Sequence, residues 1–256
     1  MHGVCSGAMQ AVEVAIVTGA SRGLGLALAQ ALRRRGARLL TIARRPQPAL
    51  DGAEVEQWAL DLADPLPAAV RLQAWMAALP RAGVASLVLI NNAASLGTPG
   101  ALRQADLIEA SVALRVGLEA PLLLTAAFLR ASAGFEVPRK VLNISSGLGR
   151  YALAGSAAYC ALKAGLDHFT RAVALEEAEG AHGARIVSLA PGVIDTDMQR
   201  QLRGADPARF AAQPRFAALK AQGQLDRPEA TAARVLAYLD RPDFGAQPIA
   251  DIRDPG

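Results

Sequence analysis

Three residues of this 256-residue chain have types and spacing suited to exchanging a proton with an oxygen. Tyr159 and Lys163 stand four apart in Tyr159-Cys160-Ala161-Leu162-Lys163, which puts both side chains on one face of a helix. Thirteen residues before Tyr159, the run Asn143-Ile144-Ser145-Ser146 ends a strand-like segment, and Ser146 lies at the end toward which the pair can point. A phenol of ordinary pKa, about 10, is a poor acid–base partner near neutrality unless a neighbouring cation favours phenolate. Lys163 supplies that cation, Tyr159 gives or takes the proton, and the Ser146 hydroxyl orients a substrate oxygen. A tyrosine alone on a helix is more often a core residue with a satisfied hydroxyl, so the chemistry rests on the combination.

A second constellation lies nearer the N-terminus. The run Val14 to Thr18 leads into Gly19-Ala20-Ser21-Arg22-Gly23-Leu24-Gly25 and then a helical pattern, the strand–turn–helix context that gives a glycine motif meaning. Glycines at 19, 23 and 25 permit a tight turn and the close approach of a diphosphate to N–H groups at a helix N-terminus. An ordinary tight turn is the bland alternative. In NAD-specific versions of this arrangement an acid at the end of the second strand binds the ribose 2′-hydroxyl. Here that strand ends Thr41-Ile42-Ala43-Arg44-Arg45 without a carboxylate, and Arg22 adds a cation nearby. Both features favour the 2′-phosphate of NADP(H).

The elements that must position these residues follow from hydrophobic patterning. Short apolar runs at Val14 to Thr18, Arg38 to Ala43, Val55 to Leu60, Ser86 to Asn91, Lys140 to Ser145 and Ala184 to Ala190 read as strands. They are continuously apolar rather than alternating, as strands covered on both faces are, which implies a parallel sheet between helices. Helical patterns are expected at Gly25 to Arg35, Leu66 to Ala78, Arg103 to Arg130, Gly155 to Glu179 and Pro228 to Asp240. In the fourth, Leu162, Leu166, Phe169 and Val173 form one apolar stripe, and Gly155-Ser156 offers an N-terminal cap. Pro191 to about Gly223 is polar and Pro-interrupted, and reads as an excursion over the sheet edge. The fold class expected is α/β, a Rossmann-like doubly wound parallel sheet with helices on both faces. Residues 12–256 form a single domain after a disordered tail, 1–11.

Composition narrows the function. At 52% hydrophobic and 20% charged, the chain has ample material for a core. Every apolar run is broken by charge, Gly or Pro before the ~18 residues a membrane span needs, so no membrane partner is expected. Two cysteines give no disulfide framework, which fits a reducing cytoplasm. The net charge of +4 gathers in Arg33 to Arg35, Arg38, Arg44 and Arg45. No aromatic residues interleave there for base stacking, and no nucleic-acid partner is expected. No metal-ligand spacing occurs among the three histidines and the acids.

In order along the chain, Thr18 to Gly25, Asp61-Leu62, Asn91-Asn92-Ala93, Ser146, Tyr159 to Lys163, and Pro191-Gly192-Val193 with Thr196 resemble the short-chain dehydrogenase/reductase family. The resemblance runs from Val14 onward. It implies reduction of a small-molecule carbonyl with NADPH/NADP+, with Ser146, Tyr159 and Lys163 as catalytic residues. It places Gly19, Ser21, Arg22, Gly23, Leu24, Gly25 and Arg44 on the nucleotide, Asp61 and Leu62 beside the adenine, and Asn91, Asn92 and Ala93 along the central strand and cofactor. Lys163 would also hold the nicotinamide ribose, and Pro191, Gly192, Val193 and Thr196 would meet the carboxamide end. A homodimer or homotetramer paired through Leu114 to Arg130 and Gly155 to Glu179 is implied as well.

Two departures stand out. Ala94 replaces a family glycine, and Gly117 occupies the place of an asparagine that links the active-site lysine through water to solvent. Within the family, the segments Asn91 to Gly97, Asp195 to Gln199, Leu219 to Leu225 and Phe244 to Asp251 resemble the sepiapterin and bacterial benzil reductases. That implies a diketone or a pterin side-chain ketone as substrate, with Asp251 anchoring a pterin's N–H edge. Asp195 and Asp197 as turn or cap residues, Lys220 as a helix-end charge and Asp251 as a tail acid are the plain alternatives. An NAD(P)+-dependent alcohol dehydrogenase and a non-catalytic cofactor sensor are the competing functions.

Overall fold

The computed structural model describes residues 11–180 and 182–254, so all of the expected tail except Ala11 lies outside the described residues. Seven strands, β1 (Val12–Thr18), β2 (Arg38–Ala43), β3 (Val55–Ala59), β4 (Val84–Asn91), β5 (Arg139–Ile144), β6 (Arg185–Ala190) and β7 (Ile249–Asp251), form one parallel sheet. Their order is β3-β2-β1-β4-β5-β6-β7. The expected class holds, and for the expected reason: β1, β2, β4, β5 and β6 are buried along almost their whole length between two helical layers.

On one face, α2 (Pro65–Ala77), α4 (Ala120–Ser132) and α5 (Ala157–Ala178) close a core around Leu72, Met76, Leu124, Phe128 and Val173. On the other, α1 (Gly23–Arg34) and α8 (Pro228–Leu239) close a second around Leu28, Leu32, Val235 and Leu236. The chain leaves β1 toward β2 on one side and returns to β4 on the other. That reversal opens a crevice at the C-terminal ends of β1 and β4.

Several expectations change. The long helix expected at Arg103 to Arg130 is divided into a short 3-10 turn (Leu102–Gln104), α3 (Leu107–Leu114), one π-helical turn (Arg115–Glu119) and α4. Asp106 starts α3 by accepting from the N–H groups of Ile108 and Glu109. Gly117 lies buried in the π turn, where a Cβ would come within 2.7 Å of Leu162 Cδ1, so Leu162 of α5 fills the space a side chain would need. Contrary to the sequence expectation, the helical run Leu107–Ser132 is long and apolar enough by length and composition to cross a membrane. In the fold it is a core segment, with Ala120, Leu124 and Phe128 buried against the sheet.

The segment expected to be irregular after Pro191 carries two helices, α6 (Asp197–Arg203) and α7 (Gln213–Ala221). Ser156 sits at the N-cap of α5, but its hydroxyl makes no capping bond.

A polar ladder ties the layers together beneath the crevice. Asn91 Nδ2 of β4 donates to Thr125 Oγ1 of α4 (3.1 Å) and Asn143 Oδ1 of β5 (2.8 Å). Asn143 Nδ2 donates to Thr170 Oγ1 of α5 (2.9 Å), which donates to the Leu166 carbonyl (2.8 Å). All four side chains are buried. Asn143→Ala removes two of these buried hydrogen bonds and opens a cavity, and is expected to cost about 2–4 kcal/mol in urea unfolding. A loss under about 1 kcal/mol would contradict the ladder's role.

Candidate active site

The crevice is a cleft of about 770 Å³ that crosses the C-terminal ends of the central strands. Its walls bring together most of the residues singled out from the sequence: Gly19, Ser21, Arg22, Gly23, Leu24, Gly25, Arg44, Asp61, Leu62, Asn92, Ala93, Ser146, Tyr159, Lys163, Pro191, Gly192, Val193 and Thr196. Asn91 and Asp251 are absent from the wall. Asn91 is spent on the polar ladder below it.

The glycine turn is built for close approach. Gly19 and Gly23 adopt φ of +70° and +57°, which favour glycine. At Gly25 a Cβ would lie 2.3 Å from the Gly19 carbonyl oxygen and 2.4 Å from Asn92 Nδ2, so no larger residue fits without moving backbone. Thr18 Oγ1 accepts from the N–H groups of Asn92 (2.9 Å) and Ala93 (3.0 Å), and Asn92 Nδ2 donates back to the Thr18 carbonyl (2.9 Å). These bonds lock the ends of β1 and β4 around the turn. The first helical bond of α1 is Leu26 N–H to the Arg22 carbonyl, which leaves the N–H groups of Gly23, Leu24 and Gly25 outside the helical ladder. Unpaired N–H groups and the positive end of the α1 dipole fit a diphosphate, so these residues suit a dinucleotide.

Arg44 lines the cleft just after β2 and makes no ion pair among the described residues. Arg22, expected to stand beside it as a second cation, instead pairs with Asp197 of α6 at 2.7 Å. It spans from the glycine turn to the excursion because both side chains reach over the cleft mouth. Asp195 also has a partner, accepting from Lys220 Nζ (2.6 Å) and Arg203 Nη1 (3.1 Å). Chiefly the Lys220 bond holds its carboxyl below the usual range, and it ties α7 to the loop before α6.

Tyr159 and Lys163 occupy the first two turns of α5, and Ser146 leaves the end of β5 as N-cap of a 3-10 turn, accepting from Leu148 N–H at 3.2 Å. Lys163 Nζ donates to the Ile144 carbonyl at 2.6 Å and lies 5.7 Å from the centre of the Tyr159 ring. Both side chains are buried. Burial pushes the Tyr159 phenol up to about 12, with a hydrogen bond to Ser146 opposing it. Burial pulls the Lys163 ammonium down to about 8, opposed by Asp167 one turn further along α5. The geometry can pass a proton between the phenol and an oxygen placed beside Ser146.

Sequence reading missed what lies beneath and beyond this trio. Asp167 is buried and accepts from Ser145 Oγ and Ser188 Oγ, each at 2.6 Å, with Arg150 Nε 3.4 Å away. Arg150 also lies 3.7 Å from Asp251. The expectation that Asp251 faces the pocket is corrected, because its carboxylate accepts from Arg253 Nε (2.8 Å) and Nη2 (2.6 Å). Arg253 faces the cleft in its place. The outer walls are apolar, with Leu96, Leu153, Met198, Phe216 and the Tyr151 ring. Their signal was unreadable without knowing that α6 and α7 fold over the cleft.

A family model for short chain dehydrogenases matches residues 13–207. The chain is 34% identical over 236 residues to a benzil reductase ((S)-benzoin forming) of Bacillus cereus, covering 90% of this chain and 94% of that protein. It is 34% identical over 265 residues to the sepiapterin reductase of Mus musculus, covering 94% and 97%. Two similar solved structures hold different dinucleotides. One from Beutenbergia cavernae, with bound NADP, is 28% identical with a TM-score of 0.76, covering 96% of this chain and 97% of that one. A 3-oxoacyl-[acyl-carrier protein] reductase from Brucella melitensis, in complex with NAD, is 25% identical with a TM-score of 0.76, covering 95% and 96%.

The buried ammonium has a consequence for the protein without cofactor. Above pH 8 the folded state has lost a proton that the unfolded chain keeps until 10.5, so stability is lower below that window and rises with pH through it. Tyr159, held up to about 12, removes stability only above pH 10, where the unfolded phenol ionises. Between pH 8 and 10 the wild type is expected to gain about 2 kcal/mol in denaturant unfolding that Lys163→Met does not gain. Parallel profiles for the two proteins would contradict the buried charge.

Proposed function

Since the chain belongs to the short-chain dehydrogenase/reductase family, oxidoreductases that act on carbonyl or hydroxyl groups with a nicotinamide cofactor, we propose that it is an NADPH-dependent carbonyl reductase acting on a small ketone. The observation that carries this reading is the meeting of Ser146, Tyr159 and Lys163 on the wall of a cleft whose other end is the glycine turn.

When bound, the cofactor supplies the hydride that becomes the new C–H bond. The residues of the chain handle the oxygen. Ser146 donates a hydrogen bond to the carbonyl oxygen and fixes its position beside Tyr159. The Tyr159 hydroxyl gives its proton to that oxygen as negative charge develops, completing the alcohol. The phenolate left behind is stabilised by the Lys163 ammonium, which the Ile144 carbonyl holds in place. The same groups run the oxidation in reverse, so an alcohol dehydrogenase remains the second reading.

The similarity to benzil and sepiapterin reductases supports a diketone or a pterin side-chain ketone as substrate. The apolar outer wall suits an aromatic diketone. A pterin held by Asp251 requires that carboxylate to leave Arg253 and Arg150. Arg44 at the end of β2, with no acid in that place, supports NADPH over NAD. Apolar Leu122 of α4 and Leu175 of α5, both exposed, support assembly as a homodimer or homotetramer.

Two measurements test this reading. Tyr159→Phe keeps the ring and removes the proton, and is expected to lower kcat for benzil by about 10²–10⁴-fold with NADPH affinity retained. Activity within a few-fold of wild type would overturn the assigned mechanism. Steady-state kinetics with both cofactors are expected to favour NADPH by at least about tenfold, since one charged hydrogen bond to a phosphate contributes roughly 1.5–3 kcal/mol. Arg44→Asp is expected to reverse the preference, and equal kcat/KM for NADPH and NADH in the wild type would reject it.

A further inference from the structure

One buried charge behind the cleft has no part in the chemistry above. Asp167 of α5 is 2% exposed, as is Lys163 one turn before it. The two side chains reach consecutive residues at the end of β5: Lys163 Nζ donates to the Ile144 carbonyl and Asp167 Oδ1 accepts from Ser145 Oγ, each at 2.6 Å. Ser188 Oγ of β6 gives Oδ1 a second bond, also at 2.6 Å. Asp167 Oδ2 is buried without a hydrogen bond, and Arg150 Nε stands 3.4 Å from it.

A buried carboxylate held only by neutral hydroxyls needs a cation, and a buried ammonium that makes one carbonyl bond needs an anion. Residues four apart on a helix are neighbours, so Asp167 and Lys163 can answer each other. Asp167 is the acid whose charge acts on Lys163, against the burial that pulls the ammonium down to about 8. Arg150 draws on the same carboxylate, but it divides itself among three partners, donating to the Ala250 carbonyl at 2.7 Å and lying 3.7 Å from Asp251. The other titratable and charged groups around the pair are Tyr159 on α5 and, beyond Arg150, Asp251 with Arg253 at the C-terminal turn.

We propose that Asp167 is a positioning residue of the proton transfer, whose buried charge keeps Lys163 an ammonium so that Tyr159 can give up its proton. This inference rests on the carbonyl-reductase reading. Asp167 is absent from the cleft wall and acts through Lys163 alone. Arg150 opposes it by sharing the carboxylate.

The test is the pH profile of kcat for benzil with NADPH between about pH 6 and 10. In wild type kcat falls on the alkaline side as Lys163 loses its proton. Asp167→Asn keeps the shape and removes the charge, and is expected to move that limb to lower pH by about one unit or more, the scale of an opposite charge withdrawn from a buried group. Arg150→Met removes the competing cation and is expected to move it to higher pH. Ser145→Ala takes a hydrogen bond from Asp167 and leaves its charge, so the melting temperature falls while the limb stays. In cofactor-free protein, the rise in stability that wild type shows above pH 8 is expected to begin at lower pH in Asp167→Asn, since the folded ammonium gives up its proton sooner. In a Lys163→Met background Asp167→Asn is expected to leave the shape of the unfolding profile unchanged over that range.

Alkaline limbs that coincide for wild type and Asp167→Asn overturn the proposal. So does a limb displaced as far by Ser145→Ala as by Asp167→Asn, which shows a structural role. Where Asp167→Asn does not fold, an Arg150→Met limb that stays in place or moves to lower pH overturns it instead. Wild type that reduces no benzil with NADPH or NADH sinks the carbonyl-reductase reading, and the inference with it.

Discussion

The structure turns on a buried ammonium. Lys163 can sit inside the protein because the end of β5 offers it the Ile144 carbonyl and because Asp167 lies one turn away on α5. Asp167 in turn is held by Ser145, just after β5, and by Ser188 within the neighbouring β6. A Cβ at Gly149 would meet Asp167 Oδ2 and the Lys163 carbonyl oxygen, each at 2.9 Å, so glycine is needed where this turn crosses the helix. The consequence is a fixed register between α5 and β5, and that register places the Tyr159 hydroxyl beside Ser146.

The other half of the cleft depends on a shortage of atoms rather than on a charge. Gly25 gives α1 room to begin against the Gly19 carbonyl, and the Thr18–Asn92 bonds hold that contact shut. The sheet order then sets the distance between the two halves, because β1, β4 and β5 are adjacent and all end on the same side. Across the mouth, Arg22 and Asp197 join the glycine turn to α6. Both side chains are substantially exposed, so the pair adds little stability, but it links the two walls of the cleft.

The strands were legible because burial on both faces leaves an uninterrupted apolar signature: Arg38 to Ala43 matches β2, and the other five differ by one or two residues at their ends. Strand β7 was not legible, since Ile249–Asp251 is three half-buried residues defined by pairing with β6. The division of the 103–130 helix escaped because its residues are all compatible with helix, and the π turn lies where Gly117 meets Leu162, a residue far away in sequence. The Ser146, Tyr159 and Lys163 arrangement could be read because i,i+4 spacing is local. The fates of Arg22 and Asp251 could not, because each is decided by a partner, Asp197 or Arg253, whose place depends on tertiary structure.

The central claim is that this cleft holds a nicotinamide ring and a carbonyl in one fixed arrangement, with Tyr159 serving only the oxygen. Reducing benzil with NADPH deuterated at either C4 position in turn, followed by mass spectrometry of the benzoin, tests it most directly. Deuterium is expected on the carbinol carbon from one C4 epimer and none from the other, in water. Label arriving from neither epimer, or equally from both, would contradict it.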